Sequence, residues 1–128
     1  MIKILVVDDD RDIRKILELL LGKEGFKVES AGNAFYALRL IKNTGDYDLM
    51  ITDVEMPVMN GFELSRQAKK LRHDLKILGI SGSAIPHDQA ERFFDYFIPK
   101  PFDVHELMVG VNYLLNRSAA EFEKKGCL

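Results

Sequence analysis

Asp48-Leu49-Met50-Ile51-Thr52-Asp53-Val54-Glu55-Met56-Pro57 is the stretch on which the reading of the fold turns. A short apolar run ends in a carboxylate, and a proline two residues past Glu55 keeps the strand from continuing. Asp53 therefore stands where a strand breaks into a loop. Taken alone, an aspartate there is most often a turn former or a helix cap. Three further apolar runs end in the same manner: Ile4 to Val7 on Asp8 and Asp9, Ile77 to Ile80 on Ser81, and Phe97 to Pro99 on Lys100. If these strands lie parallel in one sheet, their C-terminal ends share one edge, the edge at which open α/β sheets bind ligands.

Bulk properties restrict what that edge can serve. The chain has 128 residues, 47% of them hydrophobic, enough for one domain with a substantial core. A formal charge of −2 and a pI near 5.9, with no Lys/Arg run, argue against a direct nucleic-acid partner. Apolar stretches are of strand length, far short of the ~20 residues of a membrane span, and no signal-peptide core precedes them. The expectation is a cytoplasmic protein without membrane contact. The single cysteine, Cys127, cannot form an internal disulfide and sits too near the end for a prenylation box.

Outward from the central stretch, strands alternate with helices. Ile2 to Asp8 is rich in β-branched residues and nearly continuous, which suits a strand buried on both faces. Asp9 or Asp10 then caps a helix with Ile13, Ile16, Leu17, Leu20 and Leu21 on its apolar stripe, ending before Gly22 or Gly25. Phe26 to Ala31 alternates and reads as a half-exposed edge strand. Ala34, Ala37, Leu38 and Ile41 mark a second helix, closed by Asn43-Thr44-Gly45. After the Asp53 strand, the loop to Gly61 opens a third helix with Leu64, Ala68 and Leu71 on one stripe. Leu75 to Ser81 is the fourth strand. Pro86 fits the first turn of a fourth helix running to about Phe94, and Asp95 to Pro99 is a short last strand. Asp103 caps a final helix carrying Val104, Leu107, Met108, Val111, Leu114 and Leu115.

This pattern predicts an α/β, doubly wound, flavodoxin-like fold: a five-stranded parallel sheet of order 2-1-3-4-5 in a three-layer α/β/α sandwich. Strands one and three are then neighbours at the topological switch point, where Asp8, Asp9 and Asp53 meet. Three converging carboxylates repel one another, which raises a pKa unless a cation is supplied. All-oxygen ligands with no paired His or Cys favour a hard divalent ion, Mg²⁺ in the first place and Mn²⁺ as an alternative. The three histidines, His73, His87 and His105, lack ligand spacing and read as surface residues. Lys100 can offer a point charge to a phosphoryl oxygen and Ser81 a hydrogen bond to another, which leaves Asp53 as the natural nucleophile.

Asp8-Asp9, Asp53 followed by Met56-Pro57 and Gly61, Ser81, and Lys100-Pro101-Phe102 together resemble the receiver domain of two-component response regulators, over roughly residues 2 to 116. The resemblance implies a receiver domain at 1–117, with 118–128 as a tail or helix extension. It implies transfer of a phosphoryl group from a sensor histidine kinase, or a histidine phosphotransfer protein, onto Asp53. Mg²⁺ would be held by Asp9, Asp53 and the main-chain carbonyl of Glu55, with Asp8 supporting it through water. Lys100 would precede a cis peptide to Pro101, Ser81 would move toward the phosphoryl group, and Phe97 would turn inward as the aromatic switch. The output is expected on the face formed by the fourth helix, the last strand and the last helix, toward a downstream protein or an output domain. Such a protein is a phosphoacceptor switch that assists its own phosphorylation and dephosphorylation rather than an enzyme.

Several positions depart from the pattern of that family. Gly82 follows the switch hydroxyl where alanine is usual, which predicts a looser loop. Phe93-Phe94 replaces the usual Gly-Ala, filling a pocket or leaving an apolar patch on the output surface. Glu55 and Ser83 stand two past the acceptor and the hydroxyl, positions that in this family influence phosphoryl loss. Gly110 and Asn112 replace basic residues of a dimer mode in the last helix, and Gly110 suggests close approach of another helix. Two other readings share these residues: a receiver-like module that binds partners without phosphorylation, and a haloacid-dehalogenase-like phosphatase. The latter needs its nucleophile after the first strand, and Asp8-Asp9-Asp10-Arg11-Asp12 matches only half of its motif.

Overall fold

The fold is seen in a computed structural model whose described residues are 1–116; the expected tail at 118–128 lies outside them. Strand β1 (Lys3–Val7) is buried along its whole length, and its alternating side chains feed two separate cores. Ile4 and Val6 point to one face of the sheet, Leu5 and Val7 to the other. Strands β2 (Lys27–Ala31), β3 (Leu49–Asp53), β4 (Lys76–Ser81) and β5 (Tyr96–Pro99) complete a parallel sheet of order β2-β1-β3-β4-β5. The α/β/α architecture and strand order are those predicted, with β2 on the edge.

Helices α1 (Arg11–Lys23) and α5 (Val104–Leu114) contribute to the core containing Ile4 and Val6. Helices α2 (Ala34–Thr44) and α3 (Gly61–Leu71), with Ala90 buried on the short α4 (His87–Phe93), pack toward the other side. Side-chain caps start four of them: Asp10, Asn33, Asn60 and Asp103 each accept backbone N–H bonds of the first turn. Of the two aspartates expected at the first cap, Asp10 takes the role. Helix α1 runs through Gly22 and stops before Gly25, whose φ of 88° is the turn a side chain would resist. Pro86 is the residue before α4 rather than inside its first turn, which leaves that end without a side-chain cap.

Three predicted stripes, including that of α5 where Val104 is exposed, are only partly buried. In α1, Leu17 and Leu21 are in the core, whereas Ile16 is exposed. Ile13, Ile16 and Leu20 instead line an apolar groove of about 620 Å³ with Pro101, Phe102 and Val104. Leu71, at the end of α3, is exposed as well. Helical periodicity marks a face wider than the strip the sheet can cover, so its flanks stay in water.

Aromatic rings fill space left by glycines. A Cβ on Gly79, in the middle of β4, would lie 2.7 Å from the Phe94 ring, which is buried there. Phe94 neighbours Phe62 of α3 at 5.5 Å and Phe97 of β5 at 6.1 Å, and Phe62 also meets Phe93 at 5.1 Å. The Phe93-Phe94 pair thus fills a pocket. Gly110 admits a ring and not a helix: a Cβ there would lie 2.7 Å from Tyr96 of β5. That corrects the expected helix approach, because the small residue faces the sheet.

At the opposite end of the sheet Lys3 pairs with Asp46 at 2.9 Å and Glu29 at 3.5 Å, over the ring of Tyr47. The Tyr47 hydroxyl donates to Glu29, and burial with this carboxylate raises its pKa to about 12. This cluster ties β1, β2 and the segment before β3 together far from the polar strand ends.

Candidate functional site

Register decides which strand ends meet. Val7 pairs with Thr52, so the next residues along, Asp8 and Asp53, stand level at the C-terminal edge. Asp53 pairs with Ile80 and Ser81 with Pro99, which sets the Ser81 hydroxyl and Lys100 along the same edge. One carboxylate oxygen from each of Asp8, Asp9 and Asp53 lies within 4.8 Å of the others. Asp8 and Asp53 are buried and Asp9 is exposed, so the cluster opens to solvent on one side.

Backbone bonds place the two buried acidic residues. Asp8 Oδ1 accepts the Asp10 N–H at 2.9 Å, and the Asp8 carbonyl accepts from Arg14 Nη1 at 2.7 Å. Asp53 ends β3; the Val54 N–H donates to Ile80 O at 2.9 Å, and the Gly61 N–H donates to Val54 O at 2.8 Å. Gly61 has to be glycine, because a Cβ there would lie 2.5 Å from the carbonyl oxygen of Asp53. Between these anchors Val58 takes a φ of 72°, unfavourable for a β-branched residue, and is almost fully exposed.

The electrostatics are those of carboxylates short of cations. Burial, then the charge of Asp8, raises the Asp53 pKa to about 6, and Lys100 offsets only part of this. Burial also raises the pKa of Asp8, against the bond from Asp10 and the charge of Lys100. Lys100 Nζ lies 3.3 Å from Asp53 Oδ1 and 3.9 Å from Asp8 Oδ2. The contact at 3.3 Å is an ion pair without good hydrogen-bond direction, and Asp53 Oδ1 otherwise has no donor among the described residues. A buried, under-satisfied carboxylate oxygen within reach of two other carboxylates fits a hard divalent cation.

The remaining candidates fall into two groups. Lys100 follows β5 and reaches the carboxylates, and the Lys100–Pro101 peptide bond is cis. Ser81, fully buried, turns its hydroxyl to Glu55 Oε2 at 2.6 Å and not to Asp53. Phe97 is half-buried in β5 and stacked on Phe94. His73, His87 and His105 are exposed and none belongs to the cluster of Asp8, Asp9 and Asp53; His87 Nε2 lies 2.7 Å from Glu91. Sequence reasoning singled out Glu55 for its main-chain carbonyl and for its position two past Asp53 but not for its side-chain bond to Ser81, and it missed Arg14 as part of this edge. A polar residue in a loop gives no periodic signal of the distant group it will touch.

Similarity to known proteins agrees with this geometry. Residues 4–112 match the family described as the response regulator receiver domain. The chain is 42% identical over 116 residues to the DNA-binding transcriptional regulator NtrC of Azospirillum brasilense, covering 88% of this chain and 24% of that protein. It is 31% identical over 120 residues to the response regulator SaeR of Staphylococcus aureus, covering 91% of this chain and 52% of that one. The chain therefore spans between a quarter and about half of the length of these relatives. Among solved structures, TrrA of Thermotoga maritima in complex with Mg²⁺-BeF superposes with a TM-score of 0.81 at 34% identity, over 89% of this chain and 99% of that one.

Proposed function

The chain belongs to the response regulator receiver domain family, the phosphoacceptors of two-component signalling, and we propose that Asp53 is its acceptor. The observation that carries the assignment is the position of Asp53. Its carboxylate ends β3 level with Asp8, buried, with Lys100 Nζ at 3.3 Å and one oxygen short of a donor.

In this reading an Asp53 oxygen attacks the phosphorus of a phosphohistidine on a sensor kinase or a phosphotransfer protein. An O–P bond forms, the N–P bond breaks, and the imidazole nitrogen keeps the electron pair and takes up a proton. Lys100 supplies a fixed positive charge to the transferred oxygens. The Ser81 hydroxyl gives a hydrogen bond once freed from Glu55. Asp8, Asp9, Asp53 and the main-chain carbonyl of Glu55 would hold Mg²⁺, or Mn²⁺, and when bound it offsets the charge of carboxylates and phosphoryl oxygens. The Mg²⁺-BeF complex of TrrA supports this assignment by similarity.

Two surfaces suit the protein partners. The apolar groove of Ile13, Ile16, Leu20, Pro101 and Phe102 borders Lys100, so a donor protein docked there would bring its phosphohistidine to the acceptor edge. On α5, Val109 and Tyr113 are exposed, and Tyr113 lies against Tyr96 of β5, which supports a downstream protein contact on the face of α4, β5 and α5 rather than nucleic acid. Phe97, between that face and the ring of Phe94, is the switch aromatic in this account. Among the described residues no helix is long and apolar enough to cross a membrane.

The test is intact-mass analysis after incubation with a small acyl phosphate, with and without Mg²⁺. Wild type should gain one phosphoryl group only with Mg²⁺, and Asp53→Asn should gain none. An adduct that persists in Asp53→Asn would place the acceptor elsewhere.

A further inference from the structure

The Ser81 hydroxyl has one proton to donate, and in this structure it is already committed. It goes to Glu55 Oε2 at 2.6 Å, while Ser81 Oγ itself accepts the Ser83 N–H at 3.0 Å. The Gly82 N–H donates to the other oxygen, Glu55 Oε1, at 3.2 Å. Ser83 O, at 3.2 Å, is a rival acceptor for the Ser81 proton, but the shorter bond to an ionised group is the stronger. One carboxylate therefore bridges two neighbouring donors, the last residue of β4 and the residue that follows it.

We propose that Glu55 is a positioning residue: its carboxylate is a resident anion on the Ser81 and Gly82 donors, which a phosphoryl group on Asp53 must displace. This rests on the receiver reading of the site.

Three observations carry it. The first is location, since the bridged donors lie on the acceptor edge. The Lys100 N–H donates to Ser81 O at 2.7 Å, and a Cβ on Gly82 would lie 4.0 Å from the Lys100 side chain. The second is exposure. Ser81 is fully buried but Glu55 is exposed, so the carboxylate can exchange these bonds for water at small net cost. The third is charge. Glu55 is two residues from Asp53, and a phosphoryl group there adds negative charge beside the carboxylate while offering its own oxygens to the same donors. Its arrival repels the resident anion and replaces it in one event. Because both donors belong to one segment, the hydroxyl and the Gly82 backbone are released together.

The test uses the full chain with Glu55→Ala and Glu55→Gln. Amide exchange at Gly82 and Ser83 is measured by NMR in metal-free, unmodified protein, followed by titration with beryllofluoride in the presence of Mg²⁺. In Glu55→Ala the Gly82 amide should exchange roughly tenfold faster, as expected for loss of a charge-assisted bond. The same variant should take up beryllofluoride several-fold more tightly than wild type. Glu55→Gln, with a neutral acceptor, should fall between on both measures. Unchanged exchange, or beryllofluoride affinity that is unaltered or weaker in Glu55→Ala, overturns the inference. A wild type that takes up no beryllofluoride sinks the receiver reading and the competition with it, which the wild-type titration reveals independently of the variants.

Discussion

Lys100 Nζ sits 3.3 Å from Asp53 Oδ1, closer to that carboxylate than to Asp8 at 3.9 Å, yet Asp53 still has a pKa raised to about 6. One ammonium group does not balance two buried carboxylates.

That imbalance fixes the sign of a pH effect. The unfolded chain releases the Asp53 proton near pH 4, whereas the folded protein keeps it to about 6. Between these values the folded state binds more protons, so stability falls as pH rises through the interval and then levels off. The thermal midpoint of metal-free protein should drop by a few degrees from about pH 4.5 to 7. Asp53→Asn should be flatter over that range and more stable than wild type at neutral pH. Added Mg²⁺ should stabilise wild type more at pH 7.5 than at pH 5, where the proton competes. A midpoint that rises from pH 4.5 to 7 in wild type alone would refute this account of the site.

Val58 should be improvable. Its φ of 72° costs a β-branched residue about 1–2 kcal/mol, and its exposed side chain has little to lose. Val58→Asn should raise stability by about 1 kcal/mol, read as a shift of the urea midpoint at constant slope. Val58→Gly should gain less, because glycine loses more freedom on folding. Equal or lower stability in the asparagine variant would mean that the loop tolerates valine without strain.

Gly79 and Phe94 should behave as one unit. Gly79→Ala sets a methyl 2.7 Å from a buried ring and should cost about 1–3 kcal/mol. Combining it with Phe94→Leu should recover part of the loss, a coupling of about 0.5–3 kcal/mol in a double-mutant cycle. Strict additivity would show that the ring and the glycine are independent.

The strand ends were legible because a parallel sheet converts sequence order into spatial order. Runs ending on Asp8, Asp53, Ser81 and Lys100 needed only the strand order to be brought together. What the sequence hid depends on long-range partners. Glu55 carries no periodic signal, and its contact with Ser81 spans 26 positions. Lys3, a charged residue in an apolar run, is buried against Asp46 and Glu29, which become its neighbours only after β2 and β3 pair with β1. A glycine within a strand hints at close approach, but Phe94 becomes its partner only when β5 is laid beside β4. Ile16 and Leu71 show the converse, apolar residues in phase with a buried stripe but beyond the width the sheet covers.

The loop after Asp53 is closed on itself. Val54 is tied through its N–H to Ile80 and through its carbonyl to Gly61, which has no room for a side chain against the Asp53 backbone. The segment after Ser81 is instead tethered to an exposed carboxylate. The two walls of the site therefore differ in compliance. If Asp53 is the acceptor, a group added to its carboxylate is expected to be accommodated across the cleft, toward Ser81 and the residues after it, rather than in the braced loop behind it.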